Sequence, residues 1–335
     1  MFTLRTFYLF IVSLFSCIFC FAQSPVLSFN PKGTFKIVQF TDVHYQYGNK
    51  ASDAALECIN RVLDAEQPDL VVFTGDVIYA KPADKGMIKV IEQVSNRKIP
   101  FVLTFGNHDD EQGMPRAQLY DLIRQMPYNL LPDRGSASSP DYVLTVKSSS
   151  NSQKDAALLY CMDSQSYSPI KGVSGYAWFT FDQVNWYRQQ SASYTVRNDN
   201  QPLPAIAFFH IPLPEYNEAA ANENAILRGT RMEKACAPQL NTGMFAAMKA
   251  SGDVMGTFVG HDHDNDYAVM WKDILLAYGR YTGGNTVYNH LPNGARVIEL
   301  KEGARTFTTW INQKEGIVDH TVYPDSYVKD DWKKR

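Results

Sequence analysis

Five of the chain's seven histidines sit in short Asp/Asn/His/Gly clusters, and each cluster follows an apolar run. Asp42 and His44 follow residues 35–40, and Asp76 follows residues 70–74. Asn107, His108 and Asp109 follow residues 101–105, His210 follows 205–209, and His261 and His263 follow 254–259. Imidazole, carboxylate and one amide make a ligand set for two divalent or trivalent metals. Asp42 and Asp76 offer hard anionic oxygens, and neutral imidazoles favour zinc, iron and manganese over calcium or magnesium. Asn107 adds a neutral oxygen, which avoids over-neutralising a pair of cations. A carboxylate can bridge two metals about 3.5–4 Å apart. Such a pair generates hydroxide near neutral pH and binds the oxygens of a phosphoryl group. Gly75, Gly106 and Gly260 permit tight strand-to-loop turns beside it.

These residues lie far apart in sequence, so the fold must bring them together. In an α/β sheet, ligand-binding groups gather beyond the carboxyl ends of the strands. All five clusters occupy that position. The spacing predicts helices over 52–66, with Ser52 as N-cap, and over 85–96. Strands alternate with them, which indicates a parallel sheet with helical crossovers covered on both faces. A helix over 115–125 opens with Pro115. Residues 142–146 and 156–162 read as a hairpin around a polar loop. A helix over 181–190 opens at Asp182. The polar stretch 212–238 reads as a long loop, functional or disordered. A helix over 241–250 and strands over 254–259, 267–271, 274–278, 296–300 and 306–311 complete the pattern. The charged tail, 323–335, reads as a frayed end. One domain is expected over 23–335, with its core at about 34–312.

The bulk properties restrict the function classes. The chain has 335 residues, 45% hydrophobic and 20% charged, with a formal net charge of −3. It lacks the broad basic footprint of a nucleic-acid binder, so no nucleic-acid surface is expected. Residues 1–22 carry a basic start, an apolar stretch and a small residue for cleavage, the design of a secretory signal peptide. The stretch is shorter than the roughly 20 residues of a spanning helix, so no membrane span is expected after cleavage. A retained anchor and lipidation at Cys17 are the alternatives. A secreted or periplasmic location follows. Cys58, Cys161 and Cys236 remain after cleavage and fit no zinc or redox spacing. They allow at most one disulfide, or buried free thiols.

Taken together, Asp42 and His44, Gly75-Asp76, Gly106 to Asp109, His210, and Gly260 to His263 resemble the five blocks of the calcineurin-like metallophosphoesterase superfamily, in family order. The resemblance runs from about residue 34 to 285. It implies a four-layer α/β/β/α sandwich of two mixed sheets flanked by helices. It implies a first metal held by Asp42, His44, Asp76 and His263, and a second by Asp76, Asn107, His210 and His261, with Asp76 bridging. His108 resembles the family's unligated histidine, which donates to the phosphate or protonates the leaving group. Asp109 resembles the acid that orients it. The implied reaction is in-line attack on phosphorus by a hydroxide bridging two ions of iron, zinc or manganese.

A finer resemblance points to a secreted branch similar to purple acid phosphatases. Gly75, Asp76 and Tyr79 match a block of that family, as does the stretch from His210 to Tyr216. There the tyrosine ligates ferric iron and the first block lacks a histidine. Here both His44 and Tyr79 are present, and His44 is preferred as ligand. The expected substrate is a small phosphomonoester. A phosphodiesterase acting on nucleotides or lipid head groups is the alternative, and a catalytically silent, metal-stabilised binding protein is the alternative of another class. Arg280, Tyr45 and Tyr216 are the candidate substrate contacts. Asp110, Asp262, Asp264 and Asp266 read as solvated acids, and His290 and His320 as surface or locally bonded side chains. The sequence sets no oligomeric state.

Overall fold

The computed structural model describes residues 25–329. The expected signal segment with Cys17 lies outside the described residues. Among these residues thirteen strands form two mixed sheets packed face to face, flanked by six α-helices. The first sheet has the order β13-β12-β11-β1-β2-β3. Its strands are β1 (Thr34–Phe40), β2 (Leu70–Thr74), β3 (Phe101–Thr104), β11 (Gly294–Lys301), β12 (Phe307–Gln313) and β13 (Gly316–Tyr323). β1, β2 and β3 run parallel, and the remaining pairings are antiparallel. The second sheet has the order β4-β5-β6-β8-β10-β9-β7. It comprises β4 (Tyr142–Lys147), β5 (Asp155–Cys161), β6 (Ala205–Phe208), β7 (Leu227–Arg228), β8 (Val254–Val259), β9 (Ala268–Trp271) and β10 (Ile274–Tyr278). Its centre, β5-β6-β8-β10, is also parallel.

Apolar spacing explains the outer layers. Helix α1 (Asp53–Glu66) buries Ala55, Cys58, Ile59, Val62 and Leu63 along one stripe. It ends where Gln67 turns left-handed and donates back to Leu63. Helix α2 (Ala83–Ser95) buries Met87, Val90, Ile91 and Val94, and α3 (Arg116–Arg124) packs against α2. Each such aliphatic side chain contributes roughly 1.5–3 kcal/mol on burial. On the second sheet, α4 (Phe181–Arg197), α5 (Glu215–Ala221) and α6 (Met244–Ser251) cover a separate apolar cluster including Tyr160, Phe209, Met248 and Leu276. The layers are therefore helix, sheet, sheet, helix, as expected. No helix among the described residues is long and apolar enough to cross a membrane.

Several local expectations require correction. Ser52 does not cap α1 with its side chain; its hydroxyl accepts from Gln46 N instead. Helix α4 is capped by Thr180 in a reciprocal capping box with Gln183, so Asp182 lies inside the helix. The stretch expected as a loop over 212–238 contains α5 and β7. The tail is not frayed from 323, because β13 extends the first sheet to Tyr323 and Tyr327 is buried. Of the two alternatives for the cysteines, free thiols hold: Cys58 and Cys161 are free and buried as expected, whereas Cys236 is free but exposed.

Candidate metal centre

The carboxyl ends of β1, β2 and β3 meet those of β6 and β8 where the two sheets adjoin. Gln39 ties them together, its amide donating to Thr74 Oγ1 of β2 and to the Val259 carbonyl of β8. Past the strands the backbone turns sharply. Asp42, His44, Asp76 and His261 all adopt left-handed conformations, with φ of 52°, 45°, 52° and 81°. Such a conformation costs roughly 1–2 kcal/mol in a non-glycine residue. It persists where surrounding contacts over-determine it, commonly at functional sites. Here Asp42 N donates to the Gly75 carbonyl at 3.1 Å and His44 N to the Asp76 carbonyl at 2.9 Å. The chains approach so closely at Gly106 that a Cβ there would collide with the Asp76 carboxylate. At Gly260 it would collide with Thr41 Oγ1.

The turns aim two groups of ligand atoms at each other. Asp42, His44 and His263 form one group, and Asp76, His210 and His261 the other, all buried. His44 Nε2 lies 3.0 Å from His263 Nε2, and His261 Nδ1 lies 3.3 Å from His210 Nε2. Two donors bound to one cation at about 2.1 Å sit roughly 3.0–3.4 Å apart. Asp76 Oδ2 lies 3.7 Å from His44 Nε2 and 3.2 Å from His210 Nε2, so one oxygen faces both groups. Its partner Oδ1 accepts from His108 N at 2.8 Å, which fixes the carboxylate.

The chemistry of these donors fits metal ions. His210 Nδ1 faces the Thr74 carbonyl at 2.7 Å, and His263 Nδ1 the Tyr288 carbonyl at 2.9 Å. A carbonyl can only accept, so Nδ1 carries the proton and Nε2 of each neutral ring presents a lone pair. Converging nitrogens and carboxylates of this kind suit a cation between them. Asn107 Oδ1 is buried with no hydrogen-bond partner among the described residues, as a ligand oxygen would be. Burial pushes the His44 and His261 imidazoles well below their ordinary range, which keeps them neutral. Burial also pushes Asp42 up. It acts on Asp76 in the same sense, yet His210 and His44 hold that carboxyl well below its usual range.

His210 behaves differently in the metal-free protein. Burial pushes it down, but Asp76 more than offsets this and takes it to about 9. Its proton stabilises the metal-free fold fully below the ordinary 6.5, and that contribution is lost as pH rises through about 9. A metal must displace this proton. Zinc binding to the stripped protein at about pH 7.5 is therefore expected to release about one proton from His210. Calorimetry in buffers of different ionisation heat measures it; identical heats in all buffers contradict it.

The remaining expected site residues divide. His108 sits beside the groups, its ring 5.7 Å from that of His44. Asp109 does not orient it. The buried Asp109 carboxylate accepts from the backbone N–H groups of Asp76, Val77, Ile78 and Gly106 at 2.8–3.3 Å. It thereby stitches the β2 and β3 loops together, while burial and then Asp76 push it up to about 6. Replacing Asp109 with Ala strands those donors and is expected to cost about 3 kcal/mol or more of folding stability. Urea denaturation measures this; an unchanged midpoint contradicts it.

Arg280 is a structural residue and not a substrate contact: its guanidinium is buried against Asp266, the Pro292 carbonyl and Gln313. Tyr216 is also withdrawn, its hydroxyl bonded to Thr257 beneath the second sheet. Tyr45 packs in the core between the sheet and α2, near Ile78 and Gly86. Asp262, Asp264 and Asp266 are buried, not solvated; Asp262 accepts from Tyr278 and from Cys236 N. His290 bonds Asp264, and His320 stacks on Trp310. The Tyr79 ring stands edge-on to both His44 and His108, at 5.0 and 4.9 Å.

Four residues that sequence reasoning passed over face the centre. Glu111 bonds His108, and Tyr167 bonds Glu111. Tyr176 stands edge-on to His261 at 4.2 Å, and Tyr288 stacks on His263 at 4.5 Å. The i, i+3 spacing of His108 and Glu111 was the one available signal. The tyrosines come from irregular segments without any.

Comparison with known proteins places this arrangement. Residues 35–265 match the family model described as calcineurin-like phosphoesterase. An Arabidopsis thaliana protein named probable inactive purple acid phosphatase 29 is 33% identical over 291 residues, covering 77% of this chain and 74% of the relative. Phosphatase DCR2 of Saccharomyces cerevisiae is 30% identical over 316 residues, covering 83% of this chain and 54% of the relative. A dimetal phosphatase from Danio rerio superposes with a TM-score of 0.58 at 13% identity, covering 86% of this chain and 98% of that one. Purple acid phosphatase PPD1 from yellow lupin seeds superposes with a TM-score of 0.56 at 13% identity, covering 90% and 56%. At such identities the superpositions establish the fold alone. The family match, the relatives and the paired ligand groups agree: the chain belongs to the calcineurin-like phosphoesterase family, with purple-acid-phosphatase-like proteins among its relatives.

Proposed function

We propose that the protein is a secreted metal-dependent phosphomonoesterase formed by a single domain over 23–335. The observation that carries the reading is Asp76 Oδ2, which faces both groups of ligand atoms while His108 stays outside them. Asp42, His44, Asp76 and His263 would hold one ion, and Asp76, Asn107, His210 and His261 a second, of iron, zinc or manganese. Two bound ions would supply a nucleophile from water at neutral pH and offset charge on the phosphoryl oxygens. His44 Nε2 faces the ligand atoms and Tyr79 stands beside them, which supports His44 as the ligand. Asp76 orients the loop that carries His108 by accepting from its backbone N–H. His108, half-buried at the edge, protonates the departing alcohol oxygen as the P–O bond breaks. The apolar run of residues 1–22 supports export.

An alkyl phosphomonoester and a dialkyl phosphodiester assayed side by side test the substrate class. Faster monoester turnover is expected, and preference for the diester would replace the reading with a phosphodiesterase. A second reading has a specific motive, because three relatives are named probable inactive purple acid phosphatases. A metal-replete protein that hydrolyses neither ester would support a silent binding protein.

A further inference from the structure

His108 is followed by a short 3₁₀ turn, Asp109–Gln112, in which residues three apart eclipse one another. The turn sends Asp109 inward and brings Glu111 beside His108. His108 Nδ1 lies 2.6 Å from Glu111 Oε2. The other carboxylate oxygen, Oε1, accepts from the Tyr167 hydroxyl at 2.8 Å. That same hydroxyl accepts from Asn107 Nδ2 at 3.3 Å. One phenolic oxygen therefore serves both segments. Donating to Glu111, it presents its lone pair to the Asn107 amide, which leaves Asn107 Oδ1 as the inward, unpaired atom.

Tyr167 is held in place by more than these bonds. The buried Arg116 donates to Asp163 at 2.6 Å and to the Gln165 carbonyl at 3.3 Å, and also to the Gly106 carbonyl at 2.8 Å. It clamps the segment carrying Tyr167 onto the turn carrying Asn107. The Tyr167 ring also stacks on Tyr176 at 5.8 Å. Glu111 and His108 are part-exposed, at 40% and 28% of their side chains, so their pairing contributes little to stability. Its consequence is orientation.

We infer that Glu111 and Tyr167 are positioning residues, Glu111 holding His108 by Nδ1 so that Nε2 delivers the proton, and Tyr167 holding both Glu111 and the Asn107 amide. The inference rests on the reading of His108 as proton donor. In the step itself a water-derived oxygen bonds to phosphorus as the P–O bond to the alcohol breaks, its electron pair stays on the alcohol oxygen, and the Nε2 proton moves to that oxygen. The ring is left neutral, keeping its Nδ1 proton in the hydrogen bond to Glu111.

The experiment compares zinc-loaded wild type, Glu111→Ala, Glu111→Gln, Tyr167→Phe, His108→Ala and the Glu111→Ala/His108→Ala double variant. Butyl phosphate, with a poor leaving group, and 4-nitrophenyl phosphate, with a good one, are the probes. Glu111→Ala is expected to lower kcat on butyl phosphate about 10–100-fold and to affect 4-nitrophenyl phosphate far less. Glu111→Gln should recover part of the loss, and the double variant should be no slower than His108→Ala. Tyr167→Phe should weaken one of two zinc ions about tenfold and leave the other unchanged. Independently of turnover, imidazole ¹⁵N shifts should show His108 protonated at Nδ1 in wild type and lose that preference in Glu111→Ala. Equal losses on both esters, additive losses in the double variant, or an unchanged tautomer would overturn the inference. If wild type hydrolyses neither ester, the proton-donor reading fails by itself, and the ¹⁵N and zinc measurements still decide the positioning of His108 and Asn107.

Discussion

Asp76→Asn is expected to strip both metals at once. Asp76 Oδ2 faces His44 Nε2 and His210 Nε2, and Oδ1 accepts from His108 N. An amide cannot serve both sides. With its oxygen toward His108, the NH₂ group points donor hydrogens at the place where lone pairs converge. Flipped, the NH₂ meets the His108 N–H and leaves two donors face to face. The substitution also removes the negative charge nearest both groups and the partner that lifts His210 to about 9. Bound metal, measured by elemental analysis after gel filtration, should fall from two ions to fewer than one. Turnover should fall roughly 10³-fold or more, the scale of losing an electrostatic stabiliser at the reacting centre. Retention of both ions by a folded Asp76→Asn protein would refute the shared-oxygen geometry.

His108→Ala is expected to separate metal from rate. The imidazole lies outside both ligand groups, and only its backbone N–H touches Asp76. Alanine keeps that N–H, so both ions should remain. Loss of a general acid lowers rate by about 10²–10⁴. The loss should be largest for alkyl esters, whose departing oxygen most needs a proton. His263→Ala provides the contrast, because it removes a ligand nitrogen and should lose metal together with rate. Should His108→Ala lose metal as His263→Ala does, His108 would be a ligand and not the acid.

The parts of the fold legible in the sequence are those built from continuous apolar runs. β2 and β3, like β8, are buried along their whole length, and their composition marks them as strands covered on both faces. The histidine clusters were legible for the same reason, since each follows such a run within four residues. β13 was not, because six of its eight residues are exposed or half-exposed at a sheet edge, without a strong apolar face. Helix α5 hides in a polar stretch and buries only Tyr216 and Ala219. Asp109 illustrates the limit of adjacency. It stands next to His108 in the chain, but the 3₁₀ turn carries it away to four backbone N–H groups and delivers Glu111 instead. Arg280 and Tyr216 looked available because sequence reports residue type and not burial. Both lie in the interior, with the terminal guanidinium nitrogens of Arg280 and the Tyr216 hydroxyl engaged.

The central proposal is that Asp76 and the two ligand groups it faces would hold two metals, which would supply the nucleophile for hydrolysis of a phosphate ester. Titrating zinc into stripped wild-type protein while following butyl phosphate hydrolysis tests it most directly. Turnover should stay near baseline through the first equivalent and rise to a plateau at the second. A protein that binds two equivalents and releases no phosphate from the ester at any pH between about 4 and 9, a range spanning the acid and imidazole titrations, would contradict it.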